Sequence, residues 1–480
     1  MFNHFLLPGN YLMATLPRKR SMVTIKFGTD GWRAKMSEDF TKANVELVTQ
    51  ALVRYLQKKG ELSGIAIGYD NRANSEVFAR VAAEVVSGAG IKAYLTKHSV
   101  PSPVVSYAVK NRGLAAGIMI TASHNPPDYN GFKIKEAFGG SAFPETTRGV
   151  EAHLTDLLEI TPSSANLVEF NPDPEYLAKL SELADIKTIN RAGLEIVIDP
   201  MHGSGAGYFA KLGIKATEIR GKRDTTFGGI NPEPLAVNLQ SSINFMKTFG
   251  ARLTSPAVCI VLDGDADRIA GIDQTGEYIN THKIFSLLLK HLHENRKLTG
   301  TVVKTFNISN LVDSMCADYK VPLEVKPIGF KYIAKEMLEK KVVLGGEESG
   351  GMGIYGFIPE RDGILAGLML LELMAKEQKT LAKIADELMV KYGYYYYNRN
   401  DIRTTKGPEK VEELKQSPPA VFAGKKIAKT ETLDGLKFTF EDNAWILFRA
   451  SGTEPLLRIY AEGRTQAEVD FFLQEAAALI

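Results

Sequence analysis

The residues best suited to chemistry are the aspartates of DGDADR, residues 263–268, where Asp263, Asp265 and Asp267 fall at alternate positions directly after the apolar run Val258, Cys259, Ile260, Val261, Leu262. An extended chain sends alternate side chains to one side, so the spacing predicts three carboxylates converging at a strand end. Like charges so placed repel one another unless a cation neutralises them, and a hard divalent ion with oxygen ligands is the usual partner. The loop is not an EF-hand, which needs glycine at its sixth position and glutamate at its twelfth; this chain has Arg268 and Gln274 there. Magnesium, with a phosphate oxygen as a further ligand, fits better. The plain alternative is a solvated acidic turn, and three carboxylates behind a buried strand argue against it. A second loop, TASHNPPDYNGFK at 121–133, follows the strand-like run Gly117, Ile118, Met119, Ile120. Pro126 and Pro127 stop regular structure, leaving Ser123 on a stiff loop at a strand end, where α/β proteins place their ligand sites. Alone, it reads either as a nucleophile or as a turn serine beside a turn asparagine. No G-x-S-x-G elbow surrounds it, so triad hydrolase chemistry gains no support.

Three further loops carry weaker signals. GTDGWR at 28–33 sets Arg33 beside Gly28 and Gly31, which let the backbone approach a ligand closely. GEESGG at 346–351 offers Glu347 and Ser349 as hydroxyl ligands, although paired glutamates are commonly surface residues. RASGTEP at 449–455 joins Arg449 to Ser451, Gly452 and Thr453, a set suited to phosphate capture and equally to a structural turn. There is no Walker A motif, and GSGAGY at 203–208 has Tyr208 where a dinucleotide fingerprint requires its third glycine. ATP and NAD are not implied.

The elements that must position these loops show as short β-branched runs alternating with helical periods, the βαβ signature of mixed or parallel sheets. Strands are predicted near residues 65–67, 117–120, 195–198, 258–262, 302–303 and 342–344, most ending in a glycine-rich or polar loop. A helix over 75–86 is predicted to bury Val77, Phe78, Val81 and Val85. The tail differs, with a predicted hairpin of 437–440 and 444–448 and a closing helix after Thr465, which reads as a small α+β unit. Polar or turn-rich segments near 161–172, 274–276 and 392–401 mark the breaks between units. Residues 1–21 read as a disordered extension, because the basic cluster Arg18, Lys19, Arg20 follows the apolar start instead of preceding it.

At 480 residues the chain needs several cores. Its 58 basic and 56 acidic residues give no bulk field, so nucleic acid is not expected as a partner. No apolar run approaches the roughly 20 residues that cross a membrane. Cys259 and Cys316 sit in apolar patterns and read as reduced core thiols, which points to the cytoplasm.

Taken together and in order, GTDGWR, TASHNP, DGDADR, GEESGG and RASGTEP resemble the α-D-phosphohexomutase family, and the likeness spans nearly all of the chain outside 1–21. The resemblance implies three related mixed-sheet α/β domains and a smaller C-terminal α+β domain around a central cleft. Set on the breaks above, they are 22–165 with the phosphoserine loop, 166–275 with the metal loop, 276–390 with the sugar-binding loop and 391–480 with the phosphate-binding loop. It further implies that Ser123 carries a phosphoryl group beside magnesium held by Asp263, Asp265 and Asp267. Lys133, in the YNGFK segment, is then general acid and base. Arg33 and Arg268 neutralise charge, His124 anchors the serine loop, and Lys331, Glu347 and Ser349 face the sugar. Arg449, Ser451, Gly452, Thr453 and Arg458 hold the phosphate that is not reacting. The implied reaction interconverts hexose 1-phosphate and hexose 6-phosphate through a hexose 1,6-bisphosphate, in a monomer or homodimer. One departure is Gly351, where dual-specificity glucose and mannose enzymes and glucosamine enzymes of the family usually have histidine; with the segment around Phe330 and Lys331 and with GEESGG, which resemble those of phosphoglucomutases, it favours glucose, the alternative being mannose or dual glucose and mannose specificity, and glucosamine phosphate coming behind these. A sugar bisphosphate synthase or phosphatase would use the same loops, whereas a non-catalytic sugar-phosphate sensor would be expected to lose Ser123, an aspartate or Lys133, and none is lost.

Overall fold

The computed structural model describes residues 25–156, 160–450 and 455–480. The expectations for 1–21 and for Ser451, Gly452 and Thr453 fall outside them. Four sheets follow one another along the chain. The first orders its strands Trp32–Lys35, Tyr129–Glu136, Ala116–Ile120, Ile65–Tyr69, Ala93–Thr96 and Leu167–Phe170. The second runs Tyr278–Ile279, Ile269–Asp273, Ala257–Leu262, Glu195–Asp199, Thr217–Glu218, and the third Leu323–Lys326, Thr301–Thr305, Val342–Gly346, Met352–Ile354. The fourth is wholly antiparallel and is closed by the helix Gln466–Ala478, whose N-cap is Thr465.

The first three sheets repeat one device. A parallel strand, buried along its whole length, turns back into an antiparallel partner: Ala116–Ile120 into Tyr129–Glu136, Ala257–Leu262 into Ile269–Asp273, and Val342–Gly346 into Met352–Ile354. Continuous β-branched runs suit such two-sided burial. Ser123, the three aspartates and Glu347 all lie on these turns, at the ends of the parallel strands.

Several details depart from the sequence pattern. The first sheet takes Leu167–Phe170 as its edge strand and the second takes Tyr278–Ile279, both just past the breaks placed at 165 and 275, because each short segment completes a ladder. The tyrosine run beginning at 392 is not a linker throughout, since Tyr396–Arg403 pairs with Leu456–Gly463 as an edge strand. Helix Ser75–Gly88 buries Phe78, Ala79, Ala82, Ala83, Val85 and Val86, and leaves Val77 39% exposed. The alanines, small enough for close packing, shift the buried stripe away from Val77. Helix Gly363–Glu377 is buried from Gly363 to Ala375, which explains an apolar run too short to span a membrane. No helix among the described residues is long and apolar enough to cross one. Cys259 and Cys316 are buried free thiols.

The first three units share one continuous hydrophobic cluster, beginning at Ala66, which also takes in Tyr395 at the start of the fourth. The fourth has its own core around Phe438, Phe448 and Phe472 and meets the third through a small seam of Phe306, Trp445, Leu447 and Tyr460. Lys437 closes this seam, donating to the Phe306 carbonyl at 3.1 Å with its Nζ 4.1 Å from the Trp445 ring. Burial, and next the charge of Lys304, push its pKa down to about 7 against the opposing pull of Glu462 and Asp313. An unfolded lysine titrates near 10.4, so between these values only the unfolded state binds the proton and stability climbs with pH, by at most about 1.4 kcal/mol per unit. Lys437→Met removes this dependence. The urea midpoint of the parent should therefore rise relative to that of Lys437→Met between pH 7 and 9, and parallel profiles would contradict the burial of an uncharged amine.

Candidate active site

Ser123 lies at the bottom of its loop, fully buried, and its Oγ donates to Asp263 Oδ2 at 2.8 Å. Its backbone is left-handed, with φ of 52°, a conformation that costs a serine free energy and persists only where its surroundings enforce it. Thr121 Oγ1 accepts from the Ser123 N–H at 2.8 Å and donates to Asp70 Oδ2 at 2.6 Å. His124 Nδ1 is 3.4 Å from the serine oxygen. Burial, and then Arg268, Arg33, Lys133 and Arg72, hold His124 well below its ordinary pKa, so the ring is neutral. Arg33 anchors the loop from the first strand, donating to Asn125 Oδ1 at 2.7 Å. Gly31 beside it, at φ of 95°, is required by packing, since a Cβ there would lie 2.8 Å from the Phe132 carbonyl.

Asp263, Asp265 and Asp267 are fully buried, with ligand oxygens that lie within 4.8 Å of one another. They converge through a turn, with Ala266 at φ of 56°, and not through strand alternation as the spacing suggested. Asp265 Oδ1 and Asp267 Oδ1 are buried without a hydrogen-bond partner. Burial, then the charges of Asp265 and Asp267, push the Asp263 carboxyl well above its ordinary pKa. Orphaned carboxylate oxygens beside a mutually repelling set are what a divalent cation would satisfy, and the triad fits a hard metal ion.

Cations already press on the cluster. Lys133 Nζ lies 2.8 Å from Asp265, 3.1 Å from Asp267 and 2.8 Å from Asp30. Burial would lower its pKa, but these carboxylates outweigh burial and raise it. Arg361 reaches Asp267 at 2.9 Å and Asp30 at 2.7 Å, with Glu347 at 3.7 Å. Arg268 donates its backbone N–H to Asp263 Oδ1 at 3.1 Å and lies 3.7 Å from Glu233. Glu347 is buried, and burial pushes its pKa up to about 7 against Arg361 and Arg268.

The fold thus gathers Ser123, His124, Arg33, Lys133, the aspartate triad, Arg268 and Glu347. The other expected residues stand apart from this cluster in their contacts. Lys331 is the second residue of the helix Phe330–Glu339, and burial lowers its pKa. Ser349 is partly exposed; beside it Glu348, not Glu347, ties the third unit to the fourth by accepting from Tyr397 Oη at 2.9 Å and Arg399 at 3.3 Å. Arg449 and Arg458 face each other in register on neighbouring strands of the fourth sheet. Like charges placed so are unfavourable, and each has a carboxylate nearby, Asp434 at 3.0 Å from Arg449 and Asp401 at 3.8 Å from Arg458.

Four family descriptions of phosphoglucomutase/phosphomannomutase match in order: alpha/beta/alpha domain I over residues 24–160, domain II over 174–276, domain III over 280–392 and the C-terminal domain over 402–479. The chain belongs to the phosphoglucomutase/phosphomannomutase family, the α-D-phosphohexomutases. It is therefore an isomerase that moves a phosphoryl group, built from three α/β domains and a C-terminal domain. It is similar to a phosphoglucomutase/phosphomannomutase of Thermococcus kodakarensis, at 29% identity over 95% of this chain and 98% of that one. A probable phosphomannomutase of Haemophilus influenzae is 31% identical over 90% and 96% of the two chains, and a phosphoglucosamine mutase of Streptococcus gordonii 29% over 95% and 98%. A crystal structure from Thermus thermophilus superposes with a TM-score of 0.84 at 33% identity, covering 95% of this chain and 99% of the other.

Against this phosphohexomutase frame, four residues escaped the sequence reading: Asp30, Asp70, Arg72 and Arg361. Asp70 and Arg72 directly follow the strand Ile65–Tyr69, the same signal that drew attention to the aspartate loop, but polar residues at a strand end are too common to single out. Arg361, in PERDG at 359–363, belongs to no loop that looked chemical, and only the fold brings it to Asp267. It also gives the departure at Gly351 a physical meaning. A Cβ on Gly351 would fall 2.3 Å from Arg361 Cδ and 2.7 Å from its Cγ, so the arginine stem occupies the space a side chain at 351 would take. Gly351→Ala should dislodge Arg361 from Asp267 and Asp30 and destabilise the protein by about 1–3 kcal/mol; an unchanged melting temperature with Arg361 in place in a crystal structure would disprove the dependence.

Proposed function

We propose that the chain is a phosphoglucomutase, interconverting glucose 1-phosphate and glucose 6-phosphate by way of glucose 1,6-bisphosphate, with Ser123 as phosphoryl carrier and magnesium as metal. The observation that carries this reading is the buried contact of Ser123 Oγ with Asp263 at 2.8 Å, inside a triad two of whose oxygens lack partners. A hydroxyl held against a cation site suits reversible loading with a phosphoryl group. Asp263, Asp265 and Asp267 would hold magnesium, whose charge offsets that of the transferring phosphoryl group.

The chain's own groups account for the rest. The Ser123 phosphoryl group passes to the free hydroxyl of the sugar monophosphate, the P–O bond to serine breaking as the bond to the sugar forms. The bisphosphate turns over, and its other phosphoryl group returns to Ser123. Lys133 holds the proton exchanged with the hydroxyl. Three carboxylates around it keep it charged; neutralising Asp265 and Asp267 releases that hold and frees the amine to act as base. Arg33 and Arg268 steady the phosphoryl oxygens, and neutral His124 shapes the loop. Glu347, Ser349 and Lys331 would hold sugar groups. Arg449 and Arg458, with Ser451, Gly452 and Thr453, take the second phosphate. Glucose is favoured over mannose by Gly351, where Arg361 replaces the room for a histidine.

Ser123→Ala should lower turnover of glucose 1-phosphate by at least about 1,000-fold while leaving the circular dichroism spectrum unchanged, a size typical of losing a covalent nucleophile. Near-parent activity would refute the carrier role. Chelation should abolish activity until magnesium is restored, and Asp265→Asn should remove the thermal stabilisation that magnesium gives the parent, read by calorimetry. If inorganic phosphate is the main product from glucose 1-phosphate with a trace of bisphosphate, the protein is a phosphatase. Specificity constants for glucose, mannose and glucosamine phosphates decide the sugar.

A further inference from the structure

Arg72 is fully buried and takes no part in the chemistry above. Its guanidinium grips the serine loop by four backbone carbonyls, those of Ser123 at 2.6 Å, Asn125 at 2.7 Å, Pro126 at 2.7 Å and Tyr129 at 3.1 Å. One planar fork that bonds so many carbonyls fixes the loop's shape, and a lysine, with a single point of charge, cannot reproduce it. Asp70 lies 3.3 Å from Arg72 Nε and also accepts from Thr121, which caps the Ser123 N–H. The second domain closes over the assembly, with the Phe227 ring 4.9 Å from the guanidinium carbon and Arg223 donating to the carbonyl of Asn71 at 3.2 Å.

Asn71, between them, faces the other way. Its side-chain amide donates to the carbonyls of His202 and Gly203, each at 2.9 Å. That segment supports the aspartate loop, because the Ser204 N–H donates to the Gly264 carbonyl at 3.0 Å and a Cβ on Gly203 would lie 2.7 Å from the same oxygen. A Cβ on Gly264 would in turn lie 2.6 Å from the Ser123 carbonyl. The strand-end triplet Asp70, Asn71, Arg72 thus holds the serine loop with two side chains and the underside of the aspartate loop with the third.

We propose that Arg72 and Asn71 are positioning residues: Arg72 holds Ser123 in its left-handed backbone conformation, and Asn71 sets the distance between that serine and the aspartate triad. The inference rests on the phosphoglucomutase reading, and mutase turnover by the parent tests that reading first. Given an active parent, Arg72→Lys, which keeps the charge but loses the fork, should lower kcat by about 100-fold, the scale expected of a displacement near 1 Å, with KM for glucose 1-phosphate changed less than threefold. Single-turnover transfer from phosphorylated Ser123 to sugar should slow by the same factor. Asn71→Ala, which leaves the Arg72 grip intact, should weaken magnesium binding by isothermal titration calorimetry at least fivefold without lowering the melting temperature in proportion. A folded Arg72→Lys with kcat within threefold of the parent overturns the proposal for Arg72. Unchanged magnesium affinity in Asn71→Ala overturns it for Asn71, and that measurement stands even where Arg72→Lys does not fold.

Discussion

Three carboxylates buried side by side set the terms for everything around them. Two unit charges about 4 Å apart repel by roughly 4 kcal/mol at the effective dielectric of a partly buried site, and Asp263, Asp265 and Asp267 make three such pairs inside 4.8 Å. The surroundings therefore supply positive charge from several directions: Lys133 from the first domain, Arg268 from the second, Arg361 from the third. Those cations are themselves too many for a dry cleft, and Asp30, Glu347 and Glu360 balance them. The result is an alternating charge lattice in which a metal ion and a phosphoryl group would exchange for existing partners, so loading the site need not create uncompensated charge.

Such a lattice needs rigid supports, and the repeated strand-and-return device provides them. Each of the first three sheets offers one turn at the end of a buried parallel strand, and the shared hydrophobic cluster locks the three sheets to one another. The fourth domain is tied more lightly, by an aromatic seam and by Glu348 to Tyr397 and Arg399. That division suits the proposed mechanism, in which the bisphosphate must turn over between its two phosphoryl transfers. In the proposed mechanism the chemistry sits on the fused part, and the second phosphate would fall to the part joined by the smaller contact. Arg449 and Arg458, opposed in register, are held in the meantime by Asp434 and Asp401, and Asp434 also accepts from the Ile328 N–H of the third domain at 2.8 Å. A phosphate that draws Arg449 away therefore disturbs a link between the two domains.

The strands and loops were legible because their signals are local: a β-branched run, then glycine or proline, then residues of one chemical kind. DGDADR announced its convergence correctly, although the cause is the turn at Ala266 and not the pleat of a strand. What escaped the sequence depends on approach between distant segments. Arg361 lies 94 positions from Asp267 in the chain numbering and looks like an ordinary surface charge beside Glu360 and Asp362. Arg72 carries no catalytic pattern because its partners are backbone carbonyls, which leave no trace in residue type. Val77 was misplaced for a related reason, since periodicity marks a helical face but not which side of it a neighbouring helix will crowd. The tyrosine run before Arg399 was similarly ambiguous, polar enough for a linker and aromatic enough for a strand, until Leu456–Gly463 paired with it.

Gly351 shows how one small residue redistributes duties in the cleft. By leaving its space to the Arg361 stem, it brings a guanidinium to Asp267, Asp30 and Glu347. A guanidinium stays charged at any pH a protein meets, so Arg361 neutralises and orients but does not carry a proton. Burial, and then the cations around it, hold His124 neutral, and its Nδ1 lies 3.4 Å from the serine oxygen. Lys133 is left as the amine in contact with the triad, and its charge depends on the same carboxylates that would bind the metal. In the proposed mechanism, neutralising Asp265 and Asp267 couples proton transfer at Lys133 to metal binding, so that the base would become available only together with the charge that assists phosphoryl transfer.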